Sequence, residues 1–141
     1  MPTTNTASLT VPAEVESVTR CTEFVAAWVA AAGFPLARVP ELELVIEEVV
    51  VNICQHAYGD APGEIEFFCA SSSSRDLVLE FIDSGKPFNM LTLPAPDFTA
   101  EVEQRQVGGL GVPLVRAMVE TATYRRESNR NILRLSVRLA R

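Results

Sequence analysis

Cysteine is scarce in this sequence. Cys21, Cys54 and Cys69 are odd in number and form no C-x-x-C pair, which argues against a disulfide frame or a zinc site. A single histidine, His56, rules out a histidine-rich metal centre. No apolar run approaches the roughly 20 residues of a membrane span. The polar opening, MPTTNTAS, does not read as a signal peptide. Basic residues are outnumbered, with 12 Lys and Arg against 18 Asp and Glu, a net charge of −6 and no basic cluster. Nucleic acid and anionic membrane are therefore disfavoured as partners. What is present is ordinary for a globular chain: 141 residues, 48% hydrophobic and 21% charged. The expectation is one cytoplasmic, acidic domain spanning 1–141, with enough chain to bury a core.

The order of elements follows from periodicity and punctuation. Residues 9–13 read as a short strand ended near Pro12. Apolar residues from Val15 to Val29 recur at helical spacing, and Gly33 closes that helix. A second helix is expected from near Pro40 to about Tyr58, stopped by the GDAPG segment at 59–63. Residues 64–70 and 76–83 read as two strands joined by a hairpin loop through the serines at 71–74. Residues 86–107 show no clear period, and a loop of that length inside a compact domain is usually functional or mobile. A third helix follows the glycine-rich stretch at 108–111, and the chain ends in an antiparallel hairpin about Asn129. This order suggests an α+β fold, a two-layer sandwich with helices on one face of a mostly antiparallel sheet.

The second helix poses the central question, because Glu47, Glu48, Asn52, Gln55 and His56 interrupt a strongly apolar segment. Burying such groups without partners costs kilocalories each. At about 100° per residue, Glu41, Glu48, Asn52 and Gln55 fall within roughly 60° of one another. Glu47 lies about 140° from Asn52 and should be solvated. Glu48 and Asn52 thus stand one turn apart on a polar strip walled by apolar side chains. That geometry suits the floor of a site, and it also suits the exposed stripe of an amphipathic helix.

Two glycine-bearing segments bear on the choice. Asp83-x-Gly85 follows directly on a strand, where a carboxylate can point into a pocket while the backbone turns; a plain turn has the same look. A buried carboxylate is an acceptor suited to an exocyclic amino group such as that of adenine. Gly108, Gly109 and Gly111 cluster at a helix start, where free N–H groups and the helix dipole favour an anion, although a tight turn would use them too. Pro113 fits a first helical turn. The spacing is neither the dinucleotide-binding G-x-G-x-x-G nor a Walker A motif.

In this order, Glu48-x-x-x-Asn52, Asp83-x-Gly85 and Gly109-x-Gly111 resemble the N, G1 and G2 boxes of the GHKL (Bergerat-fold) ATPases. The segments NICQHAY (52–58), DSGKPF (83–88) and GGLGVPLVR (108–116) look like the bacterial anti-sigma-factor serine kinases. NILRL (131–135) is similar to that family's last strand. The resemblance runs from about Thr10 to Leu139.

The resemblance implies a function and a set of roles. Glu48 would be the general base, and Asn52 would hold Mg²⁺ at the phosphates of ATP. Asp83 would accept the adenine amino proton, with Gly85 letting the base come close. Gly109 and Gly111 would offer N–H groups to the phosphates, and Phe88, Gly108, Leu110 and Val112 complete the nucleotide-binding set. Residues 89–107 would be an ATP lid, with no glycine between Gly85 and Gly108 to serve as a hinge. His56 would fix the helix end or the pocket rim, while Lys86 and Arg105 are expected in solvent. The implied activity is that of a protein-serine kinase acting as an anti-sigma factor. Its partners would be a sigma factor and an anti-anti-sigma protein, and a homodimer is compatible with the family. The alternative is a non-catalytic module of the same fold, gated by ATP or ADP.

Overall fold

The structure, a computed structural model, describes residues 6–71, 75–93 and 111–139. Five strands form one sheet: β1 (Thr6–Pro12), β2 (Glu64–Ser71), β3 (Asp76–Asp83), β4 (Thr121–Glu127) and β5 (Arg130–Arg138). Their spatial order is β1-β2-β3-β5-β4, and every neighbouring pair is antiparallel. Three helices, α1 (Ser17–Ala31), α2 (Val39–Asn52) and α3 (Gly111–Met118), complete the layer opposite. The expected α+β sandwich is therefore present, and its described sheet is wholly antiparallel.

Strand alternation sends Ile65, Phe67 and Cys69 of β2 into the core, with Leu77, Leu79 and Phe81 of β3. Leu133, Leu135 and Val137 of β5 join them. From the helices come Cys21, Val25, Trp28 and Val29 of α1 and Leu42, Val45, Ile46 and Val49 of α2. Burying one such side chain contributes roughly 1.5–3 kcal/mol. Phe67 anchors the layer, 4.9 Å from the Phe81 ring and 6.0 Å from Phe24. The opposite sheet face is laced by ion pairs, Arg130–Glu66, Arg134–Glu80 and Arg138–Asp76. The three cysteines are free and buried, and burial pushes the thiols of Cys21 and Cys69 up to about 11 and about 12.

Local chemistry sets the helix ends. At the end of α1, Gly33 takes a φ of +82°; its N–H bonds Ala30, and the N–H of Phe34 bonds Val29. This is a Schellman close, which a residue with a Cβ enters at a cost. Phe34 then stacks on Trp28 at 5.9 Å. At the start of α2, the Arg38 guanidinium binds Glu41 at 2.7 Å, Met118 O at 2.8 Å and Arg138 O at 2.6 Å. One side chain thus ties α2 to the ends of α3 and β5. The final hairpin turns at Ser128 and Asn129, with φ of 52° and 61°. Positive values at both positions fit the tight two-residue turn whose twist matches antiparallel strands.

The second helix departs from the sequence expectation. Regular α-geometry ends at Asn52, and Ile53–Ala57 form a wider π-helical turn, closed by Tyr58 N–H on Ile53 O at 3.1 Å. Such insertions concentrate at functional sites.

Candidate nucleotide site

Glu48 and Asn52 share one face of α2, as the helical wheel requires. Asn52 is 1% exposed, Glu48 is half-buried and Glu47 is exposed. The Asn52 Nδ2 donates to the Glu48 backbone carbonyl at 2.7 Å. That bond engages the amide nitrogen and not the oxygen Oδ1. Glu48 Oε2 is buried without a hydrogen-bond partner among them. Burial, and secondarily the charge of Glu47, hold the Glu48 carboxyl above its ordinary range. An unpartnered buried carboxylate oxygen is costly to fold around, and that cost is the usual sign of a functional constraint. The other two members of the polar stripe do not join this pair. Glu41 is taken by Arg38, and Gln55 is exposed because the wider turn changes the angle per residue after Asn52.

The π-helical turn sets His56, Ala57 and Tyr58 against residues 84–88, contact by contact. Tyr58 Oη accepts the Ser84 N–H at 2.9 Å and donates to Glu64 O at 2.7 Å. Ala57 O accepts the Lys86 N–H at 2.9 Å. The His56 ring stacks on Phe88 with centroids 4.8 Å apart. His56 thus sits at the rim of the segment that follows Asp83. Lys86 is exposed.

Asp83 ends β3 and is 4% exposed. Its Oδ1 accepts the Gly85 N–H at 2.9 Å and Asn131 Nδ2 at 2.8 Å. Burial pushes its carboxyl up, partly offset by those two bonds and by the charge of Arg126. Asp83 and Phe88 open on a small cavity together with Val49, Ile53, Met90, Tyr124, Asn131 and Leu133. Val49 and Ile53 are the chain neighbours of Glu48 and Asn52, so one helix presents the apolar wall and, beside it, the polar pair. The cavity's lining, apolar side chains around one buried carboxylate, has the chemistry that a base bearing an amino group requires, while the space between them is smaller than a base.

Tyr124, Asn131 and Arg126 escaped the sequence reading as site residues. Asn131 had a signal: residues 131, 133, 135, 137 and 139 share the inward face of the last strand, and only 131 is polar. Antiparallel register places it opposite Asp83. Gly108, Gly109 and Leu110, and residues 94–107 of the expected lid, lie outside the described residues. Gly111 and Val112 open α3, with Val112 buried. Of the expected lid, residues 89–93 are described: Asn89 Oδ1 accepts the Leu91 N–H at 3.0 Å and Met90 is buried.

No group of three or more His, Cys, Asp or Glu poised for a metal occurs among the described residues. Asn52 is a single oxygen donor, which fits an ion such as Mg²⁺ that takes its other ligands from phosphates and water.

The antiparallel sheet, the polar pair on α2 and the carboxylate closing β3 define a histidine kinase-like ATPase domain, and the chain belongs to that family, matching it across residues 11–137. Among curated relatives, the serine-protein kinase RsbW of Bacillus mycoides is 28% identical over 105 residues. That match covers 72% of this chain and 65% of the relative's length. The structure of the RsbU and RsbW domains of a Mycobacterium tuberculosis protein superposes with a TM-score of 0.67 at 19% identity, covering 97% of this chain and 33% of that one. The histidine kinase domain of a blue-light activated kinase from Erythrobacter litoralis gives a TM-score of 0.54 at 18% identity, covering 92% and 62%. At these identities the two structures speak to the fold alone. No helix among the described residues is long and apolar enough to cross a membrane.

Proposed function

We propose that this chain is an ATP-dependent protein-serine kinase that binds a sigma factor and phosphorylates an anti-anti-sigma partner on serine. The reading is carried by one observation: a half-buried Glu48 whose buried carboxylate oxygen has no partner among the described residues, one turn before a buried Asn52 in an ATPase-domain fold. The likeness to a serine-protein kinase supplies the acceptor class.

Each residue has a role its surroundings suit. Asp83 takes the adenine amino group through the oxygen that Gly85 and Asn131 leave free. Asn52 Oδ1 would hold Mg²⁺, and what the ion would supply there is charge neutralisation at the phosphates. Gly111, which opens α3, would give its N–H group to the phosphates, as would Gly109, which lies outside the described residues. Glu48 accepts the proton of the attacking serine hydroxyl. The serine oxygen bonds to the γ-phosphorus as the bond to the β,γ-bridging oxygen breaks, and ADP leaves. A carboxylate whose proton affinity is raised by burial is a better base than one in water. Phosphoryl transfer otherwise depends mostly on positioning and charge stabilisation.

The deciding experiment is incubation with labelled ATP and Mg²⁺, with and without anti-anti-sigma proteins from the same cell. Label on a partner serine is the expected result. ADP without protein label would make the chain an ATPase, and binding without turnover would make it a nucleotide-gated module.

A further inference from the structure

The Asn131 side-chain amide has no capacity left for a ligand. Its Nδ2 donates to Asp83 Oδ1 and to Lys86 O, both at 2.8 Å. Its Oδ1 accepts from Tyr124 Oη, from Phe88 N–H at 3.1 Å and from Arg126 Nη1 at 3.1 Å. Three donors at one end and two acceptors at the other leave only one orientation for the amide. Arg126 Nη1 also reaches Gly85 O at 2.8 Å, so the cluster grips the turn after Asp83 from two strands. Asn131 is 3% exposed.

From this geometry we infer that Asn131 is a positioning residue for base selection: it fixes Asp83 so that one carboxylate oxygen is used inside the protein and the other faces the ligand. The inference rests on the ATP reading above and names how the pocket tells an amino purine from other purines. A freely rotating carboxylate would satisfy itself with water or neighbouring N–H groups. Held by Asn131 and the Gly85 N–H, Asp83 presents a single acceptor in a fixed direction, which an exocyclic amino group satisfies and a ring lacking it leaves unpaired and buried. Tyr124 and Arg126 act one step further back by holding the amide oxygen.

The test compares two probes, ATP and purine riboside triphosphate, which lacks only the amino group. Calorimetry with Mg²⁺ on the whole chain should give wild type a preference for ATP of about tenfold or more. In Asn131→Ala the preference should fall to within about twofold while affinity for the purine riboside triphosphate is retained. Asn131→Asp at pH 8 keeps the side-chain shape and its acceptor oxygen but loses the donor, so it carries the same comparison should the alanine variant not fold. A preference for ATP kept in the folded variant overturns the inference, as does an equal loss for both probes, which would mark a merely structural role. A wild-type preference near one would instead remove the Asp83 assignment on which the inference stands.

Discussion

Gly85 lies so close to Ala57 that a Cβ built on it would stand 2.5 Å from the Ala57 carbonyl oxygen and 2.8 Å from its Cβ. The obstacle is mostly backbone, so it cannot swing aside. Gly85→Ala would push the turn after Asp83 away from the π-helical turn and break the Lys86 N–H bond to Ala57 O. We expect a loss of about 1–3 kcal/mol in stability, as for other overpacked sites, together with weaker ATP binding. Chemical denaturation and calorimetry check the two effects separately. The sequence expectation gives this glycine to the approach of the base; the closeness of Ala57 is a second reason for a residue without a Cβ at this position.

That packing demand is invisible to periodicity, which delivers some features and not others. Strand β3 matches its sequence reading end for end, because Asp76–Asp83 is apolar, β-rich and bounded by polar turns. Glu48 and Asn52 were separable from Glu47 by an angle of 100° per residue, since α2 is regular through Asn52. The same arithmetic misplaced Gln55, because nothing in the residue pattern announces a π-helical turn. Asn131 needed tertiary register: only the pairing of β3 with β5 brings it to Asp83, 48 residues earlier in the chain.

Glu48→Gln should abolish transfer while leaving nucleotide binding intact. A general base contributes about 10²–10⁴-fold, so labelled phosphate on the partner should fall by that order. Glu47→Gln, at an exposed position, should change transfer less than about twofold, surface substitutions being usually small in effect. Equal losses in the two variants would overturn the assignment of faces on α2.

The same carboxyl should make the free protein's stability depend on pH. Both Glu48 and Asp83 have native pKa values raised mainly by burial. The folded state therefore binds these protons more tightly than the unfolded one. Their contribution is fully present below the ordinary carboxylate range and is lost as pH rises through the raised native values. Glu48→Gln removes one of the two groups, so it should slightly stabilise the nucleotide-free protein at pH 7–8. The gain should disappear towards pH 4. Thermal melts of wild type and variant across that range test it, and a gain that grows with acidity would contradict the burial of Glu48.

Tyr58→Phe tests the link between the end of the π-helical turn and the turn after Asp83. The hydroxyl accepts from Ser84 N–H and donates to Glu64 O, so its loss leaves two backbone groups to find water. The cost should be about 0.5–1.5 kcal/mol of stability. Because the contact is to the residue beside Asp83, ATP affinity should fall in parallel. Unchanged ATP affinity in a destabilised variant would show that the turn is held without Tyr58.

Asp83→Asn carries the most specific expectation, since the bonds on Oδ1 dictate how the new amide sits. Gly85 N–H and Asn131 Nδ2 are both donors, so the amide oxygen must take the Oδ1 position. Its NH₂ then faces the cavity where the carboxylate oxygen had been. A 6-amino group would meet another donor there, and ATP affinity should drop by about tenfold or more. Inosine triphosphate offers a carbonyl at the same place and should lose far less, or gain. A competition titration of ATP against inosine triphosphate reads this directly. Equal loss of both nucleotides would mean that Asp83 holds the turn without contacting the base.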